Sequence, residues 1–172
     1  MSAVESKEIH QVVIGIGSNI SPAENLISSL YLLGRLVPIE AVSSVWQTPA
    51  LGSPGPDFLN AAALISTQLP IAELRNEILR PIENLLGRAR TKDPNAPRTI
   101  DLDILIHDGQ MLDQELWKFA HMGVPVAEIL PTYTDPLSGD QAIVIAERLR
   151  KSSTIKKSSL ELHRTSPTRD IV

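Results

Sequence analysis

Two aspartates stand two residues apart in Arg98-Thr-Ile-Asp101-Leu-Asp103-Ile-Leu-Ile106, directly after a run that holds Arg88, Arg90 and Lys92. Strand side chains alternate between faces, so Ile100, Leu102, Ile104 and Ile106 are expected to meet a core while Asp101, Asp103 and His107 share the other face. Two carboxylates held that close repel and raise each other's proton affinity unless a cation lies between them. A hard oxygen pair suits Mg²⁺ carrying substrate phosphates. Arginine forks match phosphate oxygens bidentately, and here they sit on the loop that feeds the acidic strand. The plain alternative, an amphipathic edge strand with a solvated acidic face, leaves that basic approach unexplained.

With 172 residues, 42% of them hydrophobic, the chain can bury one sizeable core. No apolar run nears the ~20 residues that cross a bilayer, so a cytoplasmic protein without a membrane partner is expected. A net charge of −4 and 3% aromatic residues argue against a nucleic-acid partner and against base-stacking platforms. With no cysteine, disulfides and thiolate ligands are excluded.

These residues need a scaffold, and the chain offers one. Residues 11–17 form a short apolar β-branched run closed by glycine, a buried strand. Ser21-Pro22-Ala23-Glu24 fits a capping box, and Leu26, Ile27, Leu30, Leu33 and Val37 continue a helix over about 22–36. Strands are predicted over 39–48 and 58–67, separated by the Pro- and Gly-rich segment 49–56. Ile71, Leu74, Ile78, Ile82, Leu85 and Leu86 give a second helix ending at Gly87, with a kink expected at Pro81. The order strand, helix, strand, strand, helix, strand implies an α+β, ferredoxin-like βαββαβ antiparallel sheet with its helices on one face. A short helical or irregular stretch through 124–130 and a last helix at about 140–150 follow. The expected domain covers 11–150, between a flexible N-terminus (1–10) and a disordered polar tail (151–172).

Three segments carry a family resemblance: Gly15-Ile-Gly-Ser-Asn19; Thr48-Pro-Ala-Leu-Gly52 with Phe58-Leu-Asn60; and Gly87-Arg-Ala-Arg90 leading to Pro97-Arg-Thr-Ile-Asp-Leu-Asp-Ile-Leu105. Their order and spacing resemble the 6-hydroxymethyl-7,8-dihydropterin pyrophosphokinases of folate biosynthesis. The resemblance implies pyrophosphoryl transfer from ATP to a reduced pterin, with AMP as the second product. It implies two Mg²⁺ ions on Asp101 and Asp103, and ATP phosphates on Arg88, Arg90, Lys92 and Arg98, with Arg88 and Arg98 catalytic. Lys118 stands in for an arginine of the family on the phosphate side. Thr48, Pro49, Leu51, Phe58, Asn60 and Asp101 would form the pterin pocket, His121 taking the place of a second stacking aromatic. Glu83 and Ile104 match nucleotide-side positions, although Glu83 by itself reads as a solvated helix residue. A neighbouring folate-pathway enzyme is an expected partner.

Two rival readings stay open at this point. One is a non-catalytic pterin- or nucleotide-binding module of the same fold, motivated by a shortened stretch between Gly109 and Val124. The other is a metal-dependent hydrolase built on Asp101, Asp103 and His107.

Overall fold

The structure is a computed structural model that describes residues 8–52 and 54–164. Strand β1 (His10–Ser18) runs through the centre of a seven-stranded sheet and leads into helix α1 (Pro22–Leu36). Strands β2 (Ile39–Val42), β3 (Trp46–Thr48) and β4 (Phe58–Thr67) follow. A second helical stretch opens as α2 (Ile71–Glu73), passes through a π-helical turn (Leu74–Leu79) and closes as α3 (Arg80–Leu85). Strands β5 (Asp101–His107) and β6 (Gln110–Met111), helices α4 (Ala120–Ile129) and α5 (Ala142–Ser152), and strand β7 (Lys156–Lys157) complete the chain. The sheet order is β6-β5-β1-β4-β3-β7, with β2 also on β4, and every pairing is antiparallel. The ferredoxin-like core expected from the element order is therefore present.

The helices occupy both faces of the sheet, not one. Val12, Ile14 and Ile16 of β1 pack with Leu26, Leu30 and Leu33 of α1 and with Leu74, Leu79 and Ile82 of the second helical stretch. Across the sheet, Val13 packs with Val124 and Val126 of α4 and Ile145 of α5. Burying each such side chain contributes about 1.5–3 kcal/mol. The sequence obscured α4, because Gly123 and Pro125 lie inside it and both are poor helix formers.

Local details also depart from expectation. Ser21 sits in the left-handed region (φ 42°) and its hydroxyl makes no cap bond, so the capping box does not form. The Asn25 amide instead donates to the Ile20 carbonyl at 2.7 Å, and Pro22 takes the first turn as expected. Ahead of Pro81 the helix widens into the π-turn, where the Arg80 N–H reaches five residues back to the Arg75 carbonyl. A wider turn accommodates the pyrrolidine ring that an α-helical turn would meet head-on. Gly87 (φ 79°) ends the stretch with an Arg88 N–H to Glu83 carbonyl bond at 3.0 Å, the expected left-handed cap. The predicted strand 39–48 is broken in two, since the Ser43 hydroxyl accepts the Ala62 N–H at 2.9 Å in place of a ladder carbonyl.

The chain is ordered past Arg150 as well. α5 continues to Ser152, β7 pairs with β3, and Leu160 and Leu162 pack on the α1 side of the core. Polar composition concealed this segment, whose few apolar residues, Ile155, Leu160 and Leu162, show no helical or extended run. Residues 1–7 and 165–172, parts of the two expected flexible ends, lie outside the described residues.

Ile14 is fully buried beneath α1. Ile14→Ala is expected to cost about 2–5 kcal/mol in urea unfolding. A chain ended at Ser152 should also show a lower urea midpoint, and an unchanged midpoint would refute the packing of the β7 segment.

Candidate active site

β5 pairs with β1 so that Asp101 lies opposite Gly17 and Asp103 opposite Gly15. Residues opposite one another in a ladder share a face, so both carboxylates stand over positions that carry no side chain. The two glycines thus form the floor of a cleft of about 230 Å³. A methyl group on Gly17 would stand 3.4 Å from Asn60 Oδ1, and one on Gly15 would meet Leu105 Cδ1 at 2.9 Å. Two glycines spaced two apart in an apolar strand are the signal that could have revealed this floor from sequence.

Beyond Asp103 the ladder slips. Ile14 faces Ile104 and Val13 faces Ile106, leaving Leu105 as the extra residue of a β-bulge. Every later side chain of β5 therefore changes face. Ile106 joins the α4 and α5 side of the core, contrary to the expected stripe. His107 turns away from Asp101 and Asp103, and the carboxylate-carboxylate-imidazole set required by the hydrolase reading is not assembled.

The cleft is lined by Thr48 at the end of β3, by Pro49 and Leu51 of the loop that follows, by Phe58 and Asn60 of β4, by Arg98, Asp101 and Asp103, and by His121 of α4. Asn60 is buried, and its amide nitrogen donates to the Trp46 carbonyl (3.2 Å) and Thr48 Oγ1 (2.9 Å). A carbonyl only accepts, so the nitrogen must face Trp46 and Oδ1 is left for the cleft. The Phe58 ring stands beside it, with the Arg98 guanidinium carbon 5.8 Å from its centroid. Phe119 and His121 rings approach at 5.7 Å on another side of the cleft. Burial holds the His121 pKa below its ordinary value, so the ring is neutral near pH 7. Trp117 does not reach the cleft; it is buried against Tyr133.

Charge is arranged around Asp101. Its two oxygens each accept from one arginine, Oδ1 from Arg88 at 2.7 Å and Oδ2 from Arg98 at 2.7 Å. Arg88 also donates to the Ile100 carbonyl, at 2.6 Å. Arg98 donates to the Pro94 and Ala96 carbonyls, binding the loop 94–98 to itself. Asp103 has no ion pair among the described residues. The residue keeps exposed surface and its carboxylate opens into the cleft, but the walls crowd that carboxylate and Asp101 and Glu83 add like charge, so its pKa rises to about 6. An unpaired carboxylate beside a second one, both with hard oxygen donors, fits a divalent cation of the Mg²⁺ class.

Glu83 overturns its solvated reading. It is 3% exposed, accepts the Leu102 N–H at 2.9 Å and holds Arg90 at 2.8 Å. Burial is the main cause of its raised pKa. It anchors the base of β5 and leaves Arg90 reaching outward. Ile104 is packed in the core against α1 and is not brought to the cleft. Lys92 is exposed on the loop, and Lys118 is exposed beside Glu115 at 4.0 Å; neither lines the cleft.

Asn19 closes the first of the segments that carry the family resemblance, but sequence reasoning gave it no role of its own. It is buried, its Oδ1 accepts the Arg98 N–H (2.7 Å), its N–H donates to the Arg98 carbonyl (3.1 Å) and its Nδ2 donates to the Pro56 carbonyl (3.3 Å). One side chain thereby ties together the three loops that border the cleft. Only the assembled loops supply its partners.

Residues 13–131 match the family described as 7,8-dihydro-6-hydroxymethylpterin-pyrophosphokinase (HPPK). A 2-amino-4-hydroxy-6-hydroxymethyldihydropteridine pyrophosphokinase of Synechocystis is 32% identical over 154 residues, covering 83% of this chain and 78% of that one. The Pseudomonas putida protein of the same name is 39% identical over 112 residues, covering 63% and 91%. Among solved structures, an HPPK-DHPS chain of Plasmodium falciparum superposes with a TM-score of 0.67 at 10% identity, a likeness of fold. The match takes in 84% of this chain and 46% of that longer one.

Because folding raises the Asp103 pKa from 3.8 to about 6, the folded state binds this proton more tightly than the unfolded state. The group's contribution to stability therefore falls as pH rises across that interval. Asp103→Asn is expected to raise Tm above about pH 7, with the gain shrinking toward about pH 4. A gain that does not depend on pH would contradict the assigned environment.

Proposed function

The chain belongs to the 7,8-dihydro-6-hydroxymethylpterin-pyrophosphokinase family, and from that premise we propose that its cleft transfers pyrophosphate from ATP to 6-hydroxymethyl-7,8-dihydropterin, releasing AMP. The observation that carries the reading is the meeting, in one cleft, of an acidic pair with Arg98 and of an aromatic ring with a buried amide, Arg88 reaching the same Asp101 from outside the cleft lining. A pterin has a flat bicyclic face and a polar edge. Phe58 supplies a π surface for the face, and Asn60 Oδ1 accepts an N–H from the edge. His121, neutral and across the cleft, supplies the second face, while Thr48, Pro49 and Leu51 close the wall.

Asp101 and Asp103 would hold Mg²⁺ bound with ATP, and the cation would neutralise charge on the phosphate oxygens. Arg88 and Arg98 are engaged by Asp101. Triphosphate offers them a denser set of acceptors, so these arginines exchange carboxylate for phosphate, which frees Asp101 oxygens toward the cleft. Arg98 also carries the loop 94–98, so its movement closes that loop over the nucleotide and excludes water. Arg90, held at its base by Glu83, and Lys92 meet the phosphates from the open side. Transfer of a phosphoryl-type group demands alignment and charge neutralisation more than a strong base. The chain's part is to hold the pterin hydroxymethyl oxygen in line with the β-phosphorus.

None of the described helices is long and apolar enough to cross a membrane, and the proposed setting is the cytoplasm. An enzyme that consumes the pterin diphosphate is the proposed neighbour, in keeping with the HPPK-DHPS chains that share the fold.

Purified protein given ATP, Mg²⁺ and the dihydropterin should yield pterin-dependent AMP on nucleotide separation. Asp101→Ala, Asp103→Ala and Arg98→Ala should each lower kcat by roughly 10²–10³-fold. Pterin binding without AMP would identify a non-catalytic module, and ADP or pterin-independent phosphate would reject the reaction.

A further inference from the structure

At the far end of β5, beyond the bulge, His10, His107 and Asp108 bring one donor atom each within 4.8 Å of one another. We propose that this cluster is a second metal site, for a first-row transition ion of the Zn²⁺ class, distinct from the Mg²⁺-type pair in the cleft. The separation is on the order of 13 Å, four residues at about 3.3 Å each along β5 from Asp103 to His107.

The topology builds the cluster. The bulge at Leu105 places His107 opposite Val12, on the face away from the aspartates. His10 begins β1 two residues earlier, and the two imidazole centroids come to 4.8 Å. Asp108 and Gly109, both with positive φ (47° and 78°), turn the chain tightly into β6, the conformation of a two-residue hairpin. That turn swings the Asp108 carboxylate back over β1. Its Oδ1 accepts the Gln11 N–H at 2.8 Å, and the Gln11 carbonyl accepts the Asp108 N–H at 2.8 Å. One oxygen is thus fixed by backbone, leaving Oδ2 between the rings, 2.6 Å from His10 Nδ1 and 3.5 Å from His107 Nδ1.

Two imidazoles and a monodentate carboxylate form a borderline donor set, preferred by Zn²⁺, Co²⁺, Ni²⁺ or Cu²⁺ over Mg²⁺. Tetrahedral Zn²⁺ with bonds of about 2.0–2.1 Å needs donors about 3.3 Å apart. His107 Nδ1 and Asp108 Oδ2 already stand near that spacing at 3.5 Å, whereas the two imidazole donors, up to 4.8 Å apart, must close toward each other by ring rotation and His10 must draw back from Asp108 as the cation takes the place of their hydrogen bond. No hydrogen bond among the described residues ties down the other ring nitrogen of His107, Nε2. The backbone bonds to Asp108 provide the supporting shell that metal carboxylates require. A bound ion would clip the start of β1 to the β5–β6 turn, with water at the fourth position.

The test uses tag-free full-length protein stripped by chelator, titrated with Zn²⁺ by calorimetry and with Co²⁺ followed by its visible absorption. A parallel set carries Asp101→Ala with Asp103→Ala. The expected result is one Zn²⁺ bound in both backgrounds, not displaced by millimolar Mg²⁺, with tetrahedral Co²⁺ bands and a Tm rise on Zn²⁺ addition. His10→Ala and His107→Ala should each weaken binding at least 30-fold and abolish the Tm rise. His10→Gln and His107→Gln, which keep hydrogen-bonding capacity, should fold and still lose the ion. No binding in the parent, binding unaffected by these variants, or binding lost with the cleft aspartates would overturn the site and leave a hydrogen-bonded His–Asp pair only.

Discussion

The ladder between β1 and β5 is the constraint on which the molecule's chemistry depends. Asp101 and Asp103 stand opposite Gly17 and Gly15, so the carboxylates project over bare backbone and not over side chains that would fill the space. The slip at Leu105 then reverses the facing of the strand. A one-residue slip moves every later side chain to the other face, which separates His107 from the aspartates and sends it to His10 and Asp108. A straight ladder would have left His107 on the aspartates' face and away from His10. The bulge keeps an oxygen-donor site and an imidazole-rich cluster apart on the same strand.

Charge at the cleft is held in an incomplete state. Asp101 is satisfied by Arg88 and Arg98, whereas Asp103 faces the cleft with a raised pKa and no ion pair among the described residues, the Arg88 charge offsetting the shift only in part. A carboxylate crowded by like charge and left without an ion pair favours its protonated form, and such perturbed groups cluster at sites where a ligand supplies the missing partner. In the proposed reaction the same electrostatics make the arginines available: held by Asp101, they would transfer to phosphate without crossing an uncharged environment. Glu83 supports this arrangement from below, since its buried carboxylate receives the Leu102 N–H and restrains Arg90.

The supporting elements explain the rigidity of the pocket wall. β3 carries Thr48 into the cleft and is paired on both sides, with β4 and with β7. Trp46 in the same strand is held by Glu128 of α4 and covered by the Arg150 guanidinium at 5.1 Å. Helices α4 and α5 thereby brace the strand from the face opposite α1. Asn19 performs a similar task for the loops by joining the segments around Pro56 and Arg98. Members of the family need such bracing because alignment contributes much of the rate in phosphoryl-type transfer.

Local rules carried a large share of the result. The alternation of β5, the short apolar runs of β1 and β4, the helical spacing of Leu26, Leu30 and Leu33, and the glycine stop at Gly87 were legible because each depends on neighbours within a few residues. The acidic pair and the arginines were legible from residue type and order. Other features depend on partners far along the chain: the facing of His107 on a register slip, the burial of Glu83 on the approach of Leu102, the role of Asn19 on loops near residues 56 and 98. α4 and the β7 segment had weak local signals, and their order comes from burial against the finished sheet. What the amino-acid sequence determined by itself was which groups are present and which share a strand or helix. Which of them meet was decided by tertiary structure, because register, bulge and long-range hydrogen bonds exist only once distant strands have paired.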